Sequence, residues 1–206
     1  MTPVAHVLEL LEERAPTLGE ARLVSIDGPA GSGKTTLADA VAAGFDRGFG
    51  GGFAKHDRRG FDKLERRGSA AARVIHMDDL FPGWSGLPRV DAQLENLLSP
   101  LAEGRAGSYR RYDWLAGEFA ESVTVDPVPL LVLEGVGSGS SRFASLQTVL
   151  VWVEAPYDVR LRRGIERDGD AFAPYWEQWA RDEGDLFARE GTRERADVVV
   201  DGTRPY

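Results

Sequence analysis

The stretch Ile26-Asp27-Gly28-Pro29-Ala30-Gly31-Ser32-Gly33-Lys34-Thr35-Thr36 constrains this chain more than any other. Gly28 to Thr35 fits the pattern G-x-x-x-x-G-K-[ST]. A loop that wraps a phosphate must turn its N–H groups inward, and glycine accepts the backbone angles this requires. A helix starting at Lys34 aims its N-terminus, with its partial positive charge, at the same phosphate. The short apolar run 23–26 reads as a strand leading into the loop, and 34–43 reads as the helix leaving it. Gly28, Ala30, Gly31, Ser32, Gly33, Lys34, Thr35 and Thr36 are therefore the expected cradle for the phosphates of ATP or GTP. In that setting Lys34 brings a full charge to the β- and γ-phosphates, and the Thr35 hydroxyl is placed to ligate Mg²⁺.

The rest of the chain is consistent with an α/β unit of this kind. Four further apolar runs, at 73–76, 130–133, 149–153 and 198–200, are continuous rather than alternating, which predicts strands covered on both faces. Helical patterns fall at about 90–98, 141–146, 157–167 and 174–189, and Val4, Val7, Leu8 and Leu11 predict a helix over 3–14. Strand and helix in alternation predict a parallel sheet with helices on both faces. With 206 residues the chain is expected to form a single domain, 1–206. The segment 44–69 carries seven glycines amid dense charge. It is expected to be a mobile surface insertion, with a lid or a partner-binding loop as the alternative.

Charge narrows the ligand class. The formal net charge is -8, which suits a local pocket for a small phosphorylated molecule and not a surface that tracks a nucleic-acid polymer. There is no cysteine, the start of the chain does not read as a signal peptide, and no apolar run approaches the roughly 20 residues of a membrane span. A cytoplasmic protein with no membrane partner is expected.

Three stretches bear on the fate of the phosphate. Asp78 and Asp79 lie just past an apolar strand, where a parallel sheet opens its crevice, so one of them is expected to face the nucleotide and take a proton from an attacking hydroxyl. Capping a turn is the alternative for such a pair. Glu134 ends the strand at 130–133 and suits a second-shell or water-mediated place at Mg²⁺. Arg160, Arg163 and Arg167 share one helix face, suited either to neutralising a transferring phosphoryl group or to a solvated surface; Arg162 lies off that face.

Taken together, "GPAGSGKTT", "HMDDLF", "YDW", "VLEG", "DVRLRRGIERD" and "RADVVVDG" resemble the uridine kinase and phosphoribulokinase family of small-molecule kinases over most of residues 22–202, apart from the glycine-rich segment. The resemblance implies the three-layer P-loop NTPase fold with a five-stranded parallel sheet. It also implies an ATP- and Mg²⁺-dependent phosphotransferase acting on an alcohol, most closely a nucleoside such as uridine or cytidine, and an arginine-bearing lid, here residues 157–190. It implies a catalytic role for Asp78, phosphate and Mg²⁺ roles for Lys34 and Thr35, and the family's strand-end acid for Glu134. Arg163 and Arg167 match lid or pre-lid arginines, and Tyr112 and Asp113 match a tyrosine–aspartate pair near the base-binding region. Asp79, Trp84 and Trp114 join them as acceptor-side candidates, the aromatic rings suited to stacking on a planar acceptor. Two departures stand out. No histidine follows Asp113, and Tyr175, Trp176 and Trp179 stand where a lid rich in glycine and arginine is expected. Those rings suit core packing or stacking on a ligand. A nucleotide-dependent switch or regulatory protein without an acceptor is the competing reading; the absence of an N-K-x-D signature counts against a GTPase switch.

Overall fold

The computed structural model describes residues 1–49, 71–169 and 173–206. Five strands form one parallel sheet: β1 (Arg22–Asp27), β2 (Ala72–His76), β5 (Leu130–Glu134), β6 (Val149–Glu154) and β7 (Val198–Asp201), in the order β2-β5-β1-β6-β7. β1 follows α1 (Pro3–Glu13) and leads, through the glycine loop, into α2 (Lys34–Phe49). The loop therefore leaves the middle of the sheet. Residues 50–69, most of the expected insertion, lie outside the described residues. Its first residues do not begin a loop, because the apolar stripe Leu37-Val41-Phe45 carries α2 on to Phe49, and the Asp46 carboxylate accepts the Ala72 N–H at 2.9 Å.

Alternate residues of the central strands supply two cores. Val24, Ile26, Leu130 and Val132 pack with Val7 and Leu11 of α1 and Leu37, Val41 and Phe45 of α2. Leu23, Leu131, Leu133 and Ile75 face the other side, against Leu94, Leu97, Leu98 and Leu101 of α3 (Asp91–Ala102). Two helices, α4 (Tyr157–Asp168) and α5 (Ala173–Glu190), form the expected lid region. A short helix, α6 (Thr192–Arg195), precedes β7. The pattern at 141–146 is a 3-10 helix.

The expectation that the four later strands are covered on both faces holds for β5 and nearly all of β6, and β1 is buried along its whole length. It fails at the edges. Val199 of β7 is 48 % exposed despite its apolar neighbours, and β2 is only partly covered. An edge strand has a single neighbour in the sheet, so helices shield its outer side less. The sequence reading also missed an antiparallel hairpin, β3 (Gly107–Asp113) with β4 (Glu118–Val125). Its apolar positions Phe119, Val123 and Val125 keep a period of two, but Glu121 interrupts them; in the fold Glu121 pairs with Arg111 across the strands at 2.7 Å.

Core and edge positions should differ in cost. Leu133→Ala in β5 should lower the unfolding free energy by about 2–5 kcal/mol, and Val199→Thr by under about 0.5 kcal/mol, as read by urea denaturation.

Candidate active site

Parallel pairing lines up the strand ends that carry the chemistry. Ile26 and His76 both pair with Glu134, so β1, β2 and β5 end side by side. From those ends leave the phosphate loop, the 3-10 turn Met77–Asp79 and the Glu134–Gly135 turn.

The loop leaves no room for side chains where it bends. Gly28 has φ +140°, and a Cβ there would lie 2.1 Å from the Val153 carbonyl oxygen; at Gly31, φ +75°, it would lie 2.5 Å from that of Arg160. Asp27, just before the bend and fully buried, accepts the Gly28 N–H at 2.7 Å, the Gly137 N–H at 2.9 Å and the Gly139 N–H at 2.9 Å. It thereby bolts the phosphate loop to the loop after β5. Burial pushes its carboxyl up to about 6, although the three N–H donors and Lys34 pull the other way.

Lys34 is buried, and its Nζ donates to the Pro29 carbonyl at 2.9 Å. Burial holds its pKa below the usual lysine value, and the charges of Glu134, Glu183, Asp27 and Asp78 oppose that fall. The Thr35 hydroxyl donates to Glu134 Oε1 at 3.1 Å, and His76 Nδ1 lies 2.5 Å from the same oxygen. That bond raises the His76 pKa. Two oxygens that share an octahedral Mg²⁺ at about 2.1 Å lie roughly 3 Å apart. The Thr35–Glu134 pair fits that edge. No cluster of three or more His, Cys, Asp or Glu among the described residues could hold a metal. Mg²⁺ does not need one, because phosphates and water usually complete its shell.

The two aspartates after β2 part company. Asp78 is exposed, and its charge acts on Lys34. Asp79 is half-buried; burial raises its pKa, and the nearby charges of His76 and Arg111 lower it. The Trp114 indole N–H donates to the Asp78 carbonyl at 2.9 Å, tying the tip of the hairpin to the acid turn.

Sequence reasoning placed Trp84, Tyr112 and Trp114 near an acceptor, and the fold brings them together. Trp84 and Trp114 have ring centroids 4.8 Å apart, and Tyr112 and Trp114 5.2 Å. Tyr175 of α5 joins by stacking on Trp84, 4.9 Å away and 5° from parallel. Trp176 and Trp179, by contrast, are core residues at 2 % and 6 % exposure. Asp113 is engaged at home: its Oδ1 accepts the N–H groups of Leu115 and Ala116, both at 3.0 Å, and shapes the hairpin turn. Those two bonds hold its carboxyl below the usual range.

The arginine stripe divides in the same way. Arg160 donates to the Ala30 carbonyl at 3.2 Å and to Glu183 at 3.0 Å. Arg163 donates to the carbonyls of Gly31, Ser32 and Gly202 at 3.3, 3.4 and 3.0 Å. Both guanidinium groups thus grip backbone carbonyls of the phosphate loop, while Arg167 is exposed. Asp27, His76 and Glu183 were not among the expected site residues. Asp27 had a signal, being the residue immediately before the loop motif; Glu183, some 150 positions away, had none.

Residues 86–171 match the model of the Phosphoribulokinase / Uridine kinase family. The resemblance drawn from the motifs therefore recurs over the hairpin, the Glu134 turn and α4. No curated protein matches the chain. Solved structures share its fold. One from Bacillus stearothermophilus, described as a possible uridine kinase, superposes with a TM-score of 0.59 at 21% identity, covering 96% of this chain and 97% of its own. A candidate fructose transport system kinase from Silicibacter sp. TM1040 gives 0.58 at 21%, covering 97% and 98%. A candidate P-loop kinase with a circular permutation from Saccharomyces cerevisiae gives 0.52 at 12%, covering 96% of each chain. The architecture is thus the five-stranded α/β fold of P-loop kinases. Among the described residues no helix is long and apolar enough to cross a membrane.

The Asp27 carboxyl yields a signed pH dependence. Its folded value, about 6, lies above the unfolded 3.8, so the folded state holds the proton more tightly. The stabilisation is complete below about pH 4 and is lost as pH rises through about 6. Relative to Asp27→Asn, the wild type should gain on the order of 2 kcal/mol between pH 7 and pH 4 in urea unfolding. A difference that stays flat or grows with pH would contradict this account.

Proposed function

We propose that this chain is an ATP-dependent phosphotransferase that moves the γ-phosphoryl group to a hydroxyl of a small molecule, most closely a nucleoside of the uridine or cytidine type. The observation that supports the reading is the link of Asp78 to two features. The first is Lys34, on which its charge acts, beside the Thr35–Glu134 pair; the second is the ring cluster of Trp84, Tyr112 and Trp114, whose Trp114 indole N–H donates to the Asp78 backbone carbonyl. A switch needs the first feature alone, whereas a kinase with a planar acceptor needs both. The match of residues 86–171 to a family of small-molecule kinases supports the same choice.

The steps follow from the residues. The phosphate loop binds the nucleotide through its N–H groups and the α2 N-terminus. Lys34 pairs with the β- and γ-phosphates. Thr35 and Glu134 would hold Mg²⁺, which neutralises charge on those phosphates when bound. The aromatic cluster orients the acceptor by stacking, so that its hydroxyl meets Asp78. Asp78 takes the hydroxyl proton as the oxygen bonds to the γ-phosphorus; the bond to the β–γ bridging oxygen breaks and ADP leaves. Asp79, half-buried beside it, is assigned to hydrogen-bonding the acceptor. Arg163, held on loop carbonyls, serves catalysis by fixing the cradle, and Arg167, on the same helix, is assigned to the transferring phosphoryl group.

The test is an ATP-consumption screen over nucleosides, nucleoside monophosphates and sugar phosphates, with Lys34→Ala as the blank. A Lys34-dependent signal with uridine or cytidine is expected. Asp78→Asn should then lower turnover by roughly 10²–10⁴-fold and leave ATP affinity near the wild-type value. Tight ATP binding without turnover on any acceptor would overturn the kinase reading in favour of a regulatory nucleotide-binding protein. A loss of turnover in Asp79→Asn but not in Asp78→Asn would move the base by one residue.

A further inference from the structure

Glu183 belongs to none of the motifs, yet it is only 2 % exposed. It sits within α5, and its two carboxylate oxygens have separate tasks. Oε2 accepts the Ala30 N–H at 2.8 Å, and Oε1 accepts from Arg160 Nη1 at 3.0 Å. Arg160 in turn donates to the Ala30 carbonyl at 3.2 Å and, through Nε, to the Ala155 carbonyl at 3.2 Å. Both backbone polar groups of Ala30 are therefore held, one by an acid from α5 and the other by a base from α4. The Tyr157 and Trp176 rings lie 5.6 and 5.9 Å from the Arg160 guanidinium and shield it from water.

Stability alone does not explain such an arrangement. A buried ion pair is often matched or bettered by apolar packing of the same volume, because both charges lose their hydration. Electrostatics alone does not explain it either. The Glu183 charge acts on Lys34, so it works against a polyanion arriving at the same loop. What the carboxylate supplies is geometry. It accepts from two donors at once, and one of them is a backbone N–H of the phosphate loop.

We infer that Glu183 is a positioning residue of the phosphoryl-transfer site, holding Ala30 and Arg160 so that the phosphate loop keeps one fixed placement against α4 and α5. The inference rests on the phosphotransferase reading for its catalytic consequence but not for its effect on nucleotide binding. Displacing a bound phosphate by even an ångström lowers the rate of transfer far more than it lowers the affinity for the acceptor. The loss of Glu183 should therefore appear in kcat and in ATP affinity, with the KM for the acceptor spared.

Two variants test this, with isothermal titration of ATP in the presence of Mg²⁺, steady-state kinetics and thermal unfolding. Glu183→Gln faces two donors with only one acceptor oxygen, so it loses one partner. Glu183→Asp keeps the charge but is one methylene shorter and cannot span both. In each, ATP should bind about tenfold more weakly and kcat should fall about 10–100-fold, with the KM for the acceptor within about twofold of the wild type. Weaker binding in Glu183→Gln is the decisive sign, since removing a negative charge by itself favours ATP. Unchanged or tighter ATP binding would overturn the inference. So would wild-type kcat with only a lower melting temperature, or failure of both variants to fold, either of which would make Glu183 a core residue. If the wild type itself transfers to no acceptor, the phosphotransferase reading fails, and the ATP titration still decides the role of Glu183.

Discussion

The N–H groups of Gly28, Gly137 and Gly139 converge on the single carboxylate of Asp27, and the shape of the site depends on that convergence. Two loops leave the sheet side by side, one after β1 and one after β5. Without the shared acceptor three buried donors would be left unsatisfied, at about 1–3 kcal/mol each. With it, the phosphate loop is tied to the loop that follows Glu134. The Thr35–Glu134 contact, which suits a divalent cation, is a second tie between the two. The price is an acid kept in a fully buried place, visible in its raised pKa.

Charged side chains from distant parts of the chain hold the far side of the same loop. Turning N–H groups toward a phosphate leaves carbonyls to be satisfied elsewhere. Arg160 and Arg163 take those of Ala30, Gly31 and Ser32, and Glu183 takes the Ala30 N–H. Residues that a motif comparison assigns to a moving lid here brace the cradle. Lys34 sits among acids on several elements, and their charges oppose the burial that lowers its pKa.

The proposed acceptor side is built differently, from rings rather than charges. Trp84 follows the acid turn, Tyr112 and Trp114 come from the hairpin, and Tyr175 comes from α5. The Trp114 indole hydrogen bond to the Asp78 backbone ties the ring cluster to the proposed base, so the apolar platform and the carboxylate keep a common frame. Asp113 serves that frame by shaping the turn that carries Trp114.

Much of this was legible from local pattern. The loop motif, the five strands, the α1, α2 and lid helices and the aspartate pair follow from glycine spacing, apolar runs and strand-end position, all of which are properties of neighbouring residues. The hairpin was missed because a two-stranded ribbon with one face open needs little apolar alternation, and Glu121 breaks what there is. The exposure of Val199 was missed because an edge strand and a central strand can carry the same run of valines, and only the sheet order separates them. Trp179 and Tyr175, four residues apart in one helix, went to the core and to the exposed side of the ring cluster because the packing of α5 decides which ring is covered. By itself the sequence determined that a phosphate loop sits at the head of a parallel α/β sheet. Which charges hold that loop was decided by tertiary structure alone, because Arg160, Arg163 and Glu183 meet it across more than a hundred residues, and no local spacing encodes contacts at that range.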